Sequence, residues 1–384
     1  MKIKLPDQSG KSRDYRLSGK PVPVMKPKAP FNRIAFAAAH VVADPFADAD
    51  PSGPPAIDWK ATLAYRRHLL DLGFGIAEAM DTSQRGMGLD WPNALDLIRR
   101  SLDAAGARGN LIYSGCGTDH LDPAAARSID DVIRAYLEQL HAIQKLGGRI
   151  IMMASRALAR IARSPDDYAK VYARVLAEAD HPVILHWLGE MFDPALKGYW
   201  GGEDFTRTME TALGVIATSV GKVDGIKISL LDDAKEVKMR RRLPDSVKMY
   251  SGDDFNYPDL IEGDAHGHSH ALLGIFDAIA PVASAALSAL AKGRNEKYHA
   301  LMNPTVPLSR LIFRAPTQYY KTGIVFLAWL NGHQKHFVMV GGAQSMRPLT
   351  YFVELFKLAD KAGLLRDPEL AVKRMKSLLA VYGA

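Results

Sequence analysis

The sequence predicts an α/β chain folded as a (β/α)8 TIM barrel, with an N-terminal hairpin ahead of it and a helical segment after it. Three observations carry this reading. Short apolar runs rich in β-branched residues alternate with amphipathic segments of helical period from Arg33 to Ala271, the pattern of strands joined by crossover helices into a parallel sheet. Eight such runs follow one another in register with this alternation. No second dinucleotide-type half is present to split them into an open, doubly wound sheet. The expected divisions are residues 1–30 for the hairpin and connector, 31–280 for the barrel and 281–384 for the C-terminal helical extension.

Each element has a local cause. Ile3 and Leu5 precede a turn marked by Asp7 and Gly10, and Tyr15 and Leu17 follow it, which reads as a hairpin. The Pro- and Lys-rich stretch from Ser18 to Pro30 cannot continue a helix and reads as an extended connector. The barrel strands are expected at 33–42, 74–80, 110–117, 149–155, 182–187, 223–229, 247–254 and 264–271. Asp58 and Gly73 bracket the first helix as N-cap and stop, and Pro92 opens the second. The tail from Pro281 is helical and longer than a barrel needs, so it should pack outside the barrel or against a partner subunit.

Composition narrows the function. The 384 residues are 48% hydrophobic and 24% charged, ordinary for a globular chain. Lys and Arg outnumber Asp and Glu by 49 to 42, a modest excess that suits an anionic small molecule. No basic stripe with interleaved aromatics calls for nucleic acid. The single cysteine, Cys116, allows no internal disulfide, consistent with a cytoplasmic location. No apolar run reaches the length of about 18 residues that a membrane span needs. The glycine-rich pieces are loop signals without a phosphate fingerprint, so no cofactor is expected.

The most informative residue is Lys227, set in "VDGIKIS" (Val223 to Ser229) between Ile226 and Ile228. An unpaired buried ammonium costs several kcal/mol, so such a lysine is paired, turned to solvent, or neutral and reactive. Desolvation lowers its pKa, and a neutral amine can attack a carbonyl to form a Schiff base. Active sites of such barrels sit at the carboxyl ends of the strands. The polar residues placed there by the predicted strands include Glu78, Asp81, Thr82, Ser83, His186, Ser251, Asp253, His268 and His270.

The stretch "VDGIKISLLDD" resembles the dihydrodipicolinate synthase / N-acetylneuraminate lyase superfamily, in which G-(I/V)-K-x-(A/S)-(S/T)-G-D carries the Schiff-base lysine. "MDTSQRG" (Met80 to Gly86) falls on that family's G-T-T-G-E, "GCGT" (Gly115 to Thr118) on its G-(V/T)-G, "HPVILHW" (His181 to Trp187) on its P-(V/I)-(I/L)-(L/I)-Y-N, and "YYKTGIVFLAWLNG" (Tyr319 to Gly332) on its tail. The resemblance runs from about Arg33 to Gly332. It implies a divergent offshoot with class I aldolase-like lyase activity, Lys227 as nucleophile, and a homo-oligomer of two or four subunits. His186 stands where the family has its proton-relaying tyrosine, and Thr82 and Ser83 stand on its two hydroxyl positions. Asp81 and Gln84 replace its glycines, and "LGEMFDP" (Leu188 to Pro194) lacks its substrate-binding arginine. Pyruvate plus aspartate semialdehyde is therefore not the expected substrate pair. The expectation is a keto acid or keto sugar (acid), with Asp81, Glu78, Asp253, His268, His270 and Ser251 shaping a polar pocket.

Two other readings fit the same residues. A metal-dependent sugar isomerase, epimerase or hydrolase would use Glu78, His186 and His268 as ligands. A non-catalytic ligand-binding barrel would need no chemistry from Lys227.

Overall fold

The computed structural model of the protein describes all 384 residues. Two antiparallel strands, β1 (Lys2–Pro6) and β2 (Ser12–Arg16), form the hairpin. The barrel follows as β3 (Ala35–Ala38), α1 (Trp59–Asp71), β4 (Gly75–Glu78), α2 (Trp91–Ala105), β5 (Ile112–Cys116), α3 (Ile129–Lys145), β6 (Arg149–Met152), α4 (Arg156–Ile161), α5 (Pro165–Ala177), β7 (Val183–Leu188), α6 (Phe205–Thr218), β8 (Val223–Ser229), α7 (Asp233–Arg240), β9 (Lys248–Ser251), α8 (Tyr257–Glu262), β10 (His270–Leu273) and α9 (Ile275–Leu290). The tail adds α10 (Asn295–Met302), α11 (Val306–Ile312), α12 (Tyr320–Leu330), α13 (Leu349–Lys361) and α14 (Pro368–Val381). Strands β3 to β10 are all parallel and close in the order β10-β3-β4-β5-β6-β7-β8-β9. The (β/α)8 barrel expected from the sequence is the fold observed.

The caps act as their chemistry dictates. Asp58 accepts from the Ala61 N–H at the start of α1, and Asp90 accepts from Asn93 N–H at the start of α2. Ser128 and Asp131 form a reciprocal capping box on α3. The expected boundary at 280–281 falls inside α9, where Pro281 accompanies a break in helical geometry at Ile279. The hairpin docks on α13. The Asp360 carboxylate accepts from Tyr15 Oη at 2.8 Å and from the Ser18 and Gly19 N–H groups.

Alternation along each strand divides the interior into two separate apolar bodies. Residues such as Ile76, Ile112, Met152, Leu185, Ile226 and Ile228 face outward and pack with the helices in one core of 98 buried residues. Phe36, Ala38, Ala77, Ile151, Ile184, Tyr250 and Leu272 face inward and fill the lumen. Phe36 meets Tyr113 at 4.9 Å and Tyr250 at 6.0 Å between ring centres, closing the amino-terminal half of the barrel. The polar site is thus confined to the carboxyl end.

The same parity corrects two expectations. Glu78 has the phase of Ile76, so its side chain turns out of the barrel. There Arg66 on α1 donates Nε and Nη2 to it at 2.9 and 2.8 Å, and Ser101 on α2 donates at 2.6 Å. Glu78 is 0% exposed and clamps sheet to helices. Ser251 has the phase of Met249 and likewise faces outward, where it donates to Glu236 at 3.0 Å. Ser269 donates to the same carboxyl at 2.7 Å, and burial pushes Glu236 up to about 8.

Removing one partner of a buried ion pair leaves an uncompensated charge, which costs about 3–5 kcal/mol. Arg66→Met should lower unfolding free energy by about that amount in urea titration, whereas the double variant Arg66→Met/Glu78→Leu should recover most of it. A double variant as unstable as the single one would show that Glu78 is not held by charge pairing.

Candidate active site

Lys227 lies on the inner face of β8. It shares the phase of Gly225 and Ser229, while Ile226 and Ile228 face the helices. Its neighbours across the ladders are His186 on β7 and Tyr250 on β9. One glycine makes room for the neighbouring Tyr250 ring and a second clears the path of the lysine itself. A Cβ at Gly225 would meet the Tyr250 ring at 2.6 Å. A Cβ at Gly252 would meet Lys227 Cε at 2.8 Å, the Ile228 carbonyl at 2.6 Å, and Ser229 Oγ. The amine reaches a narrow cavity walled by Ala38, Met80, Asp81, Thr82, Leu188, Phe192, Ser229, Asp254, Gly274, Phe313 and Tyr320. Lys227 is 8% exposed, and it is the only lysine or arginine on these walls.

Burial holds the Lys227 amine below the 10.5 of an ordinary lysine, opposed by the fields of Asp254 and Asp81. Asp254 is pushed upward by burial, against a backbone bond from Ile275 N–H at 2.9 Å and the nearby Lys227. Burial, followed by Lys227, drives His186 well below the usual imidazole value, so its ring is neutral. His186 Nε2 lies 3.2 Å from Ser229 Oγ, and its buried Nδ1 has no partner. His186 sits beside the lysine without forming a wall of the cavity.

Thr82 Oγ1 and Tyr320 Oη are hydrogen-bonded at 2.8 Å, and both line the cavity. Tyr320 opens α12, so the tail supplies part of the site instead of only packing outside the barrel. Stacking of Phe313 on Tyr320, with ring centres 4.5 Å apart, fixes the phenol. The short turn from Asp81 to Ser83 sets the hydroxyls. Gln84 ends that turn at φ +66°, a left-handed conformation costly for a residue with a Cβ. Its side chain holds it there by donating to the Val340 carbonyl at 2.9 Å and the Met87 carbonyl at 3.2 Å. Asp81 and Leu188 also line a wider cleft of about 620 Å³, which carries Thr118, Asp119, His120, Arg156 and Asp193.

The site therefore gathers Lys227, Thr82 and Asp81 from the expected set, with His186 adjacent. Ser83 is close in sequence, but its hydroxyl donates to the Met80 carbonyl at 2.6 Å and does not reach the cavity. Asp253 serves its own turn, accepting from Phe255 and Asn256 N–H at 2.8 and 3.0 Å. The carboxylate facing Lys227 is the next residue, Asp254. His268 and His270 lie at the opposite mouth, because β10 begins at His270 and the preceding segment is a turn. His270 Nδ1 accepts from Ile34 N–H at 3.1 Å, and burial followed by His268 pushes it down to about 4. Glu78 behind the sheet, His186 inside it and His268 at the far mouth cannot converge on one metal ion.

The chain from residue 3 to residue 384 matches the family described as "Protein of unknown function (DUF993)". It belongs to that family. No curated protein sequence matches it. Among solved structures it is similar to YagE, a prophage protein of the dihydrodipicolinic acid synthase family from E. coli K12 in complex with pyruvate. That match has 14% identity and a TM-score of 0.64, covering 92% of this chain and 99% of that one. Dihydrodipicolinate synthase from Acinetobacter baumannii, complexed with pyruvate, matches at 16% identity and a TM-score of 0.62, covering 86% and 99%. The 4-hydroxy-tetrahydrodipicolinate synthase from Methylacidiphilum fumariolicum SolV matches at 15% and 0.62, covering 91% and 98%. The DUF993 chain thus shares the fold of the dihydrodipicolinate synthase structures. No helix in it is long and apolar enough to cross a membrane.

A depressed amine pKa makes the reactive neutral form appear at lower pH than on an exposed lysine. Competitive acetylation followed by peptide mapping should give Lys227 a labelling midpoint below 10.5. Surface lysines in the same digest provide the reference, and a Lys227 midpoint at or above theirs would contradict the desolvated environment.

Proposed function

We propose that this protein is a Schiff-base (class I) carbon–carbon lyase acting on a small ketone. The observation that carries the reading is the unpaired amine of Lys227 opening on a cavity that also holds an acid and a coupled pair of hydroxyls. The neutral amine attacks the carbonyl carbon, and a proton passes to the carbonyl oxygen. Loss of water from that adduct leaves an iminium. The iminium withdraws electrons, so the C–C bond one carbon further on breaks and its electron pair becomes an enamine. The hydroxyl on the departing carbon gives its proton to a base while its oxygen becomes the carbonyl of the released fragment, and the enamine then takes a proton at carbon and is hydrolysed, freeing Lys227. Run backward, the same steps form the bond.

Asp254 suits the base role, since burial raises its carboxyl into the range where it exchanges protons near neutrality. Tyr320 and Thr82 suit the relay to and from the carbonyl oxygen, because the phenol stays protonated and its hydroxyl partner lies 2.8 Å away. His186, neutral and tied to Ser229, suits a positioning role: it tolerates no second positive charge beside the lysine. The fold shared with structures that contain pyruvate supports a small carbonyl ligand at this end of the barrel. A soluble homo-oligomer of two or four subunits belongs to the same proposal.

Borohydride reduction in the presence of a panel of keto acids and keto sugars should trap an adduct that maps to Lys227 and is lost in Lys227→Ala. Tyr320→Phe should lower kcat by about 10²- to 10⁴-fold while the trapped adduct still forms on Lys227. Absence of any adduct across the panel would remove the nucleophile from the mechanism.

A further inference from the structure

The charges around Lys227 bear on what stands next to the substrate's carbonyl. Two carboxylates, Asp81 and Asp254, line the cavity, and Lys227 is the only cation among its walls. Both acids lie close enough for their fields to act on the Lys227 amine. Asp81 occupies the first position of the turn Asp81–Ser83 and belongs to both the cavity and the wider cleft, so it stands at their junction.

A carboxylate attached directly to the ketone would need donors at this junction. Of the turn's backbone N–H groups only those of Asp81 and Thr82 have no acceptor within the chain, and both adjoin the Asp81 carboxylate. Ser83 N–H is bonded to the Met80 carbonyl at 3.1 Å, and Gln84 N–H to the Asp81 carbonyl at 2.9 Å. Leu188, Phe192 and Phe313 are apolar. Lys321, 4% exposed, lies within the field of Asp81, but its Nζ donates to the Gln318 carbonyl at 3.0 Å and contacts Met87 Sδ at 3.3 Å. It softens the charge of Asp81 from outside the cavity without offering a donor within it. The side-chain donors that remain on the cavity walls besides Lys227, those of Thr82, Ser229 and Tyr320, are hydroxyls. An anion brought beside Asp81 in a poorly solvated cavity is repelled, whereas a hydroxyl donates to the same carboxylate in a charge-assisted hydrogen bond.

We infer that the ketone taken by Lys227 carries an uncharged hydroxyl-bearing carbon next to the carbonyl, so that the substrate class is an α-hydroxyketone and not a 2-oxo acid, with Asp81 accepting from that hydroxyl. This rests on the Schiff-base reading of Lys227. Chemistry of this class places a ketose, or a smaller hydroxyketone plus an aldehyde, on the two sides of the reaction, with the remaining hydroxyls extending past Asp81 into the cleft.

Hydroxyacetone and pyruvate differ only in the group beside the carbonyl, which makes them the probes. With wild-type protein and equal concentrations, cyanoborohydride should trap hydroxyacetone on Lys227 at least about tenfold faster than pyruvate after correction for their rates with a model amine. Asp81→Asn, which keeps shape and removes the charge, should reduce that ratio by about tenfold, chiefly by raising pyruvate trapping. Asp81→Ser provides a second uncharged variant should the first fold poorly. Equal or faster pyruvate trapping in the wild type would overturn the inference and leave the Schiff-base reading standing. A ratio unmoved in both variants would overturn the role of Asp81. Failure of both probes to trap at all on folded wild-type protein would overturn the Schiff-base reading and this inference with it.

Discussion

The structure depends on keeping one amine inside a β-barrel without an ion pair. A lysine on the inner face of a strand has few tolerable surroundings. A carboxylate in contact would make it a permanent cation, and solvent would do the same. The chain instead gives Lys227 room at Gly252, just after the flanking strand β9, a neutral imidazole beside it at His186, and acids that act on it by field without pairing. Aromatic rings fill the lumen beneath, so water reaches the amine only from the carboxyl end. Burial favours the uncharged amine and the fields of Asp254 and Asp81 oppose it, and the balance leaves Lys227 below the value of an ordinary lysine.

Charge is sorted by strand phase. The groups that hold sheet to helices, Arg66 with Glu78 and Ser251 and Ser269 with Glu236, occupy outward positions and are saturated by hydrogen bonds. The groups on the inner face are few and less completely bonded. A single register shift would exchange the two sets, so the apolar outward residues Ile76, Met249, Ile226 and Ile228 protect the chemistry as well as the fold. The strained turn at Gln84 belongs to the same arrangement: its left-handed backbone is held by bonds to Val340 and Met87, which ties the hydroxyl-bearing loop after β4 to the tail.

Much of this was legible in the sequence, and the failures have identifiable causes. The eight-fold alternation specified the barrel, because period and spacing are properties of the chain alone. Lys227 stood out because an ammonium breaks an apolar strand. Glu78 and Ser251 fall outside the site because strand phase, and not nearness to a strand end, decides which face a side chain takes. Ile76 and Met249, two positions earlier, mark their faces as outward, so the signal was present. Asp253 is lost to the site because an aspartate two and three residues ahead of free N–H groups closes a turn on itself, as Asp253 does with Phe255 and Asn256. The histidines of "DAHGHSHA" were read as a strand because they alternate; Asp264 and Gly267 make a turn there, and the strand starts only at His270. Tyr320 carried no local signal, since nothing in a helical tail states which end of a barrel it will cover.

That last residue shows why the tail exceeds what a barrel requires. Ile312 of α11 and Ile324, Phe326 and Leu327 of α12 join the core that the barrel helices share. The two helices are positioned by contacts at the carboxyl end. Ser309 on α11 donates to the Asp254 carbonyl, Phe313 and Tyr320 stack against each other and meet Phe192 edge-on, and Tyr320 meets Thr82. Every one of these partners belongs to, or flanks, the cavity of Lys227. A lid made of loops would sample many positions and admit water, whereas an apolar helix whose first residue is a tyrosine delivers one phenol at a fixed place while its body stays anchored in the core. His186 stands beside Lys227 on the neighbouring barrel strand, and the Tyr320 phenol reaches the walls of the same cavity from the tail. The phenol and the amine that wall this cavity thus come from segments some ninety residues apart, and their meeting is secured by the packing of the tail.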